Sequence, residues 1–415
     1  MSPAKVLVFE PSLSGHRAHY VAVQTKELLR LGLRVSLAVP DNALEQPEGL
    51  TFLKDVLRES RVVPLQAIAK NLRTTATAKA KFTQLQATIA DVKPVHCYVP
   101  YADGLAQAWG MHPRPNKAIP NDIGIEGIMM RGRFAYPGLS FKSRFASQIS
   151  RLLAVRGNWT RLHQLDPLVF EYLQRSGFKR HINSLIPEII QIPTHTDTAV
   201  ARKNLNLDPH KHVIACPGGV NGSKGSGKLI DAVISINDSN IQLVLIGKHS
   251  TDIKTKLKVI GQHPSIISQD RFASETEFTD LFAAADTIAV CYPRHVGSAS
   301  ILLRAAAAGK NIIASDWGWI GWTTKKFKLG NTCDATSVES IRKAILQQKE
   351  TAFDTEPSGH GSSLLSFHTP ENHLAHWTSF LRTQVGLPAA TLINFQDVLD
   401  DALQSEIEIA SGREQ

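Results

Sequence analysis

The sequence is poor in cysteine and in long apolar runs. Only 4 cysteines occur in 415 residues, and none has the Cys-x-x-Cys spacing of a zinc or redox site. No secretory leader precedes the charged, strand-like run Lys5–Phe9, and no apolar run reaches the roughly 18 residues that a membrane-spanning helix needs. We therefore expect reduced thiols in the core and a cytoplasmic protein. The length favours two domains, and a hydrophobic content of 43% is typical of globular cores.

Acidic side chains are scarce in the first half of the chain. Residues 1–200 hold 25 lysines and arginines against 15 aspartates and glutamates, whereas residues 201–415 hold 21 against 22. The imbalance is greatest at 131–180, with 10 basic and 2 acidic side chains. Such asymmetry indicates either an anionic partner or a solvated basic face. A membrane surface or an acidic acceptor would fit, and we do not expect nucleic acid as the partner.

One basic segment, 131–161, contains a predicted amphipathic helix. From Phe141 to Leu153 the apolar residues follow helical spacing at positions 141, 145, 149, 152 and 153, and arginines flank them. The favoured interpretation is a helix packed on its own domain with the arginines in water. The alternative is a helix that lies on an anionic membrane, which would make the protein peripheral to that membrane.

Strands and helices alternate twice along the chain. A strand at Lys5–Phe9, a helix at His19–Leu31 and a strand at Arg34–Val39 form a first βαβ unit with parallel strands. A second alternation begins at His212–Cys216, after a divide near Ile192–Pro193. The pattern predicts an α/β protein with two Rossmann-like, doubly wound parallel sheets. The predicted bounds are 1–193 and 194–365 for the two domains, 356–363 for a linker, 366–385 for a return helix and 386–415 for an acidic tail.

Three loops of unusual composition should follow strands at the sheet edge where open α/β proteins bind ligands. Ser12–Arg17 contains Gly15, whose backbone can approach a ligand. Gly218–Gly225 is rich in backbone N–H groups and includes Lys224, so it is suited to cradle a diphosphate. Tyr292–Ser300 opens a helix and holds an arginine, a histidine and two serines, which indicates an anionic ligand.

A competing motif overlaps the second loop. Gly222–Lys228 has the form Gly-x-x-x-x-Gly-Lys, which is most of a P-loop. The next residue is Leu229, where that motif needs serine or threonine to bind magnesium. No apolar run that ends in aspartate offers a partner for the metal. A P-loop NTPase or a dinucleotide enzyme is therefore kept only as an alternative.

With its motifs in this order, the second half resembles the donor domain of GT-B glycosyltransferases, in the glycogen-synthase-like, family-4-like retaining group. The matching stretches are Gly218–Gly225, Leu245-Ile246-Gly247, Leu281–Asp286 and Gly297–Gly309, together with the opening Ser14-Gly15-His16-Arg17. The resemblance implies the GT-B fold, with two domains facing across a cleft. It also implies transfer of a hexose-type sugar from a nucleotide-diphosphate sugar to an acceptor hydroxyl, with retention and without a metal or other cofactor.

The resemblance further implies roles for single residues. Lys224 would hold the donor diphosphate, Gly297 and Ser298 would lie under its phosphates and sugar, and Gly15 would approach it from the first domain. The predicted donor-binding set is Gly15, Gly218, Gly219, Asn221, Ser223, Lys224, Arg271, Arg294, His295, Gly297, Ser298, Ser300 and Arg304.

The chain departs from the family at a pair of acids. The family's Glu-x7-Glu pair falls at about Arg294 and Arg304, so both carboxylates are absent and ribose recognition must differ. The arginine that the family often places five residues before the lysine is Gly219 here, and Arg294 would restore the lost charge. Lys224, Arg294 and helix N-terminal N–H groups would stabilise the leaving phosphate in place of a metal.

Retention would need no strong base, whereas inversion would need one to activate the acceptor hydroxyl. The candidate bases are His16, Asp103 and Glu126, each on or near a strand end of the first domain. The predicted partners are a nucleotide-sugar donor and an unidentified glycan, lipid or small-molecule acceptor. A catalytically silent GT-B protein that binds a nucleotide sugar, or only a partner, is the other alternative.

Overall fold

The structure is a computed structural model that describes residues 3–14, 17–68, 74–136, 140–177, 180–190, 196–351 and 361–401. Gly15, His16, the predicted divide at Ile192–Pro193 and most of the predicted linker at 356–363 lie outside these residues. The chain forms two compact units. Unit 1 comprises Met1–Pro187 and Glu371–Leu392, and unit 2 comprises Glu188–Pro370 and Ile393–Gln415.

Within the described ranges, unit 1 contains a parallel sheet of 7 strands in the order β3-β2-β1-β4-β5-β6-β7. These strands are β1 Lys5–Phe9, β2 Arg34–Pro40, β3 Arg61–Leu65, β4 His96–Val99, β5 Gly124–Met129, β6 Arg161–Gln164 and β7 Asn183–Leu185. The chain winds outward from β1 in one direction and from β4 in the other. This reversal creates a topological switch point between β1 and β4.

The helices of unit 1 cover the sheet. In chain order they are α1 Arg17–Arg30, α2 Pro47–Phe52, α3 Lys54–Glu59, α4 Thr74–Val92, α5 Asp103–Gly110, α6 Phe141–Arg156 and α7 Pro167–Arg175. Aromatic rings tie α4 and α5 into the core, since Phe82 stacks on Trp109 with ring centroids 5.7 Å apart. β4 and β5 are buried along their whole length, as expected for parallel strands covered on both faces.

Unit 2 repeats the plan with a parallel sheet of 6 strands among its described residues, in the order β10-β9-β8-β11-β12-β13. The strands are β8 His212–Ala215, β9 Ile241–Gly247, β10 Ile266–Asp270, β11 Thr287–Val290, β12 Asn311–Ser315 and β13 Gly330–Cys333. The switch point here lies between β8 and β11.

The helices associated with this second sheet are α8 Thr198–Asn204, α9 Ser226–Ile236, α10 Thr251–Ile260, α11 Glu275–Ala284, α12 Ser300–Ala307, α13 Gly318–Lys326, α14 Val338–Thr351 and α15 Ser362–Phe367. The next helix, α16 Pro370–Gln384, packs on the sheet of unit 1, where its Trp377 ring lies 3.9 Å from that of Tyr98. Part of the segment after α16 packs on unit 2, where the ring centroid of Phe395 lies 5.0 Å from that of Phe367.

The prediction of two doubly wound parallel sheets is confirmed, and the predicted strand at Lys5–Phe9 has the predicted bounds. The amphipathic helix is also present, as α6. The expectation that its apolar stripe packs on its own domain is wrong, because Phe141, Phe145, Ile149 and Leu152 are exposed. The reason is the close approach of α5, where a Cβ on Gly110 would lie 1.9 Å from the carbonyl oxygen of Leu153. Small residues rather than the large apolar ones therefore face the neighbouring helix.

None of the helices in the described part of the chain is both long enough and apolar enough to cross a membrane.

Candidate functional site

Two loops of unit 2 leave the sheet at its switch point. The glycine loop, residues 217–225, connects β8 to α9, and the β11 loop, residues 291–299, connects β11 to α12. A direct contact joins them, because the Lys224 ammonium lies 3.9 Å from the centroid of the Tyr292 ring. Since this is the crevice where open α/β sheets bind ligands, the two loops form the candidate site of unit 2.

The glycine loop has a backbone that side chains would not allow. Gly218 and Gly225 have φ angles of 95° and 69°, in the left-handed region. A Cβ on Gly225 would lie 2.0 Å from the carbonyl oxygen of Cys291, and a Cβ on Gly247 would lie 2.0 Å from that of Gly218. The loop is therefore pressed against the ends of β9 and β11, which explains the glycines physically.

Asn221 organises the rest of the glycine loop. Its side-chain oxygen accepts hydrogen bonds from the Lys224 N–H at 3.1 Å and from the Ser223 hydroxyl at 2.6 Å. Its own N–H donates to the hydroxyl of Ser226 at 3.1 Å. Gly219 lies beside it, since an added Cβ there would be 3.3 Å from the Asn221 amide nitrogen. Asn221 and Ser223 thus shape the turn that presents Lys224.

The β11 loop is held by its own polar groups. The His295 ring donates from Nε2 to the carbonyl oxygen of Ser298 at 3.1 Å. The Ser298 hydroxyl in turn donates to Glu188, a buried carboxylate that belongs to unit 2. Gly297 has a φ of 95°, and Arg294 reaches the left-handed region with a φ of 50° although it has a side chain. An exposed arginine held in that conformation is unusual and is consistent with a functional loop.

The helix that follows the β11 loop is open to an anion at its start. α12 begins at Ser300, and its first turn has no acidic residue and no side-chain cap. The N–H groups of a first turn carry partial positive charge and point out of the helix. Ser300 and the Lys224 side chain thus add a helix start and a positive charge to the two loops.

Two predicted donor-binding arginines have other partners. Arg271 forms a forked ion pair with Glu277, one arm of which measures 2.8 Å, and it lowers the pKa of that carboxyl to about 2. Arg304 lies 5.1 Å from the Phe278 ring. Burial lowers the pKa of Arg304, and the charges of Glu275 and Glu188 oppose that shift. The assignment of these two arginines to the donor stays a prediction.

The switch point of unit 1 holds a carboxyl group that the sequence interpretation missed. Glu10 follows β1 directly and is completely buried. One of its oxygens accepts from the N–H of Ser12 at 3.1 Å and from Arg17 at 3.3 Å, and the other has no hydrogen-bond partner among the described residues. Burial raises the pKa of Glu10 to about 7, against the opposing charges of Arg17 and Lys81. The sequence did contain a signal for this site, because Glu10 is an acidic residue that directly follows the apolar strand β1.

The residues around Glu10 come from both sides of the switch point. The Arg17 guanidinium lies 3.6 Å from the centroid of the Tyr101 ring, and Tyr101 follows β4. Burial raises the pKa of Tyr101, and the neighbouring Asp103 adds to that shift. Lys81 of α4 is half-buried, and burial lowers its pKa. The group can accept a hydrogen bond at Glu10 and donate one from Tyr101 or Lys81.

The other predicted bases have structural partners. Asp103 accepts hydrogen bonds from the N–H groups of Met130 at 3.0 Å and Arg131 at 2.8 Å, so it holds the backbone that directly follows β5. Glu126 is buried between His163 at 2.7 Å and His96 at 3.0 Å, and the hydrogen bonds of these rings hold its pKa below its usual value despite burial. His16 lies outside the described residues.

The two parallel sheets, each with a switch point that carries polar residues, define the class of the molecule: the chain has the GT-B fold. No protein-family model matches the sequence, and no curated protein is significantly similar to it.

Solved structures of the same fold cover nearly the whole chain. Sucrose-phosphate synthase from Thermosynechococcus elongatus is 14% identical with a TM-score of 0.71, and the match covers 92% of this chain and 99% of that one. A glycosyltransferase from Rickettsia africae is 10% identical with a TM-score of 0.67, covering 93% and 99%. HepE from Anabaena in complex with UDP is 13% identical with a TM-score of 0.64, covering 92% and 100%. At such identities the likeness establishes the fold, and the activity must be argued from the site.

Proposed function

We propose that the protein is a glycosyltransferase that moves a hexose-type sugar from a nucleotide-diphosphate sugar to an acceptor hydroxyl. The observation that carries the proposal is the pairing of the glycine loop with the β11 loop through Lys224 and Tyr292 at the switch point of unit 2. HepE, which has the same fold, has been solved with UDP and with UDP-glucose. A nucleotide-sugar donor therefore suits this site better than a nucleoside triphosphate.

On the donor side, the chemistry that needs help is departure of the nucleoside diphosphate. Negative charge grows on the leaving phosphate as the sugar–oxygen bond breaks. Lys224, the backbone N–H groups of the glycine loop and the uncapped start of α12 would stabilise that charge. Arg294, exposed on the β11 loop, would add a second cation. With this cationic set we propose a reaction that needs no metal or other cofactor.

On the acceptor side, we assign the hydroxyl-binding group to Glu10 of unit 1. One of its oxygens is buried and has no partner in the described part of the chain, and a ligand hydroxyl that bonded to it would offset the cost of that burial. Tyr101 and Lys81 supply donors for the other oxygens of the acceptor. The acceptor itself, whether a glycan, a lipid or a small molecule, is left open by these contacts.

Retention of the anomeric configuration is the proposed course. In that reaction Glu10 orients the acceptor hydroxyl, and the leaving phosphate takes its proton. Inversion would instead make Glu10 the base, a role that a pKa of about 7 would suit. The anomeric configuration of the product, determined by proton NMR during turnover, distinguishes the two courses.

Calorimetry with UDP, GDP and ADP tests the donor site. Lys224→Ala should weaken binding of the preferred nucleotide by about 1–3 kcal/mol, the range for a charge-assisted hydrogen bond. Lys228→Ala is the matched control, because Lys228 is an exposed lysine in the first turn of α9, four residues after Lys224. Equal affinities of the folded Lys224 variant and the wild type would refute the assignment.

The same lysine pair separates the transferase from the P-loop alternative. A P-loop would rely on Lys228, which completes the Gly-x-x-x-x-Gly-Lys pattern, and on a hydroxyl at the next position. That position is Leu229, an apolar side chain with no exposed surface. Magnesium-dependent ATP hydrolysis that is lost in Lys228→Ala would favour the NTPase. Hydrolysis or transfer of a nucleotide sugar would instead favour the transferase, and it would argue against a catalytically silent protein.

A further inference from the structure

One surface of unit 1 has a composition that the proposed function does not use. The outer face of α6 carries Phe141, Phe145, Ile149 and Leu152, with exposed fractions of 85%, 60%, 43% and 44%. Their spacing of four, four and three residues places them on one side of the helix. Other exposed large apolar side chains of the described residues are scattered over other elements, and single ones need no explanation. A continuous apolar stripe marks an interaction surface.

The opposite side of α6 packs on unit 1, and these contacts fix the orientation of the helix with its apolar stripe facing outward. Ser147, Ala154 and Val155 are buried. The Ser150 hydroxyl accepts a hydrogen bond of 2.7 Å from Gln107 of α5. The backbone at Leu153 packs so closely on Gly110 that no side chain fits between them. The apolar stripe is therefore presented outward on a fixed support.

Positive charge borders the stripe. Lys142 and Arg144 are exposed between the phenylalanines and beside them, and α6 contains four basic residues and no acidic one. Arg131 and Arg133, also exposed, precede the helix. Large apolar side chains that are bordered by cations complement a surface with an apolar interior and an anionic exterior. A lipid bilayer with anionic headgroups has this structure.

We propose that α6 is a docking surface for an anionic lipid bilayer. Phe141 and Phe145 enter the boundary between headgroups and acyl chains, and Lys142 and Arg144 contact the anionic headgroups. Ile149 and Leu152 extend the inserted face along the helix. The surface depends on unit 1 alone, so it stands whether or not the proposed transfer reaction is correct.

Vesicle flotation with the full-length protein tests the proposal. The wild type should float with phosphatidylcholine vesicles that contain about one third phosphatidylglycerol at low salt, and high salt should release it. Lys142→Glu with Arg144→Glu should weaken binding at least about tenfold, because each lost cation near an anionic surface costs several-fold in affinity. Phe141→Ala with Phe145→Ala should weaken it to a similar extent, because the inserted apolar area is lost.

Two control pairs match these changes. Lys54→Glu with Arg58→Glu alters the charge of unit 1 equally on the exposed side of α3, and Val259→Ala with Phe272→Ala removes exposed apolar area from unit 2. Both controls should float like the wild type, and all variants should keep the wild-type circular dichroism because the altered side chains are exposed.

Three results would overturn the proposal. The first is failure of the wild type to bind anionic vesicles at low salt. The second is binding that the phenylalanine pair leaves unchanged, which would indicate attraction by charge without insertion. The third is sedimentation that shows self-association of the wild type, abolished by the phenylalanine pair, because the face would then belong to a second copy of the chain.

Discussion

At the switch point of unit 2, between β8 and β11, the loops carry glycine backbone and the Lys224 ammonium. At that of unit 1, between β1 and β4, a buried carboxyl from Glu10 lies with Arg17 and Tyr101. The two sheets are wound in the same way, and the same reversal of strand order opens a crevice at each. Their side chains nevertheless differ, since the unit 2 loops present backbone N–H groups and Lys224, whereas the unit 1 crevice contains a buried acid beside Arg17 and Lys81.

The difference shows what topology decides and what it leaves to side chains. A doubly wound sheet places the ends of two central strands where no helix covers them, so a ligand can reach the loops. Whether those loops stabilise a leaving anion or accept a hydroxyl proton depends on the few residues that follow each strand. Repetition of one architecture thus leaves each crevice with its own set of polar groups.

The largest effect should come from a methyl group that disrupts the unit 2 site alone. Gly225→Ala adds a Cβ that would lie 2.0 Å from the carbonyl oxygen of Cys291, at a φ of 69°. We expect the free energy of unfolding of unit 2 to fall by about 3–4 kcal/mol, measured by urea denaturation. Gly32→Ala is the control, because its φ is 75° but no atom lies within 4 Å of the added Cβ. Its cost should be only about 1–2 kcal/mol, and equal costs would show that the glycine loop is not pressed on β11.

Glu10 of the unit 1 site should make stability depend on pH around neutrality. The folded protein holds the Glu10 proton more tightly than the unfolded chain, because its pKa is raised from 4.5 to about 7. The stability that this proton contributes is present below the unfolded pKa and is lost as the pH rises through about 7, for a total of about 3 kcal/mol. Glu10→Gln should remove that loss. The free energy of unfolding of the variant should therefore increase relative to that of the wild type at about pH 8 and not at about pH 4. Parallel pH profiles of unfolding would contradict the buried, protonated Glu10.

The smallest expected effect separates loop function from loop stability in unit 2. Arg294→Gly relieves a left-handed backbone, but it also increases the entropy of the unfolded chain, so stability should change by less than about 1 kcal/mol. Nucleotide binding should still weaken several-fold because a cation is lost. Lys93→Gly, at a φ of 49° in unit 1, should have the same small effect on stability and none on binding. Unchanged nucleotide affinity in Arg294→Gly would remove Arg294 from the donor site.

Several features of the protein were predictable because their causes are local. Short apolar runs that alternate with segments of helical apolar spacing predict the strands and helices of both units. The glycines next to Lys224 indicate the glycine loop. The Arg271–Glu277 pair spans only six residues and belongs to the start of α11, where Ser274 and Glu277 form a capping box. That pairing was also within reach of sequence reasoning, and the assignment of Arg271 to the donor stays a prediction.

Other features depend on residues far apart in the chain, and only the tertiary structure decides them. Glu10 is buried beside Arg17, Lys81 and Tyr101, and its pKa is raised because the packing of these segments removes it from water, although the charges of Arg17 and Lys81 oppose the rise. The helical period of α6 predicts that one face is apolar, but the close approach of α5 at Gly110 determines that this face points outward. Local sequence sets backbone preference and amphipathicity, whereas burial, and with it charge state and exposure, is set by which distant segments pack together.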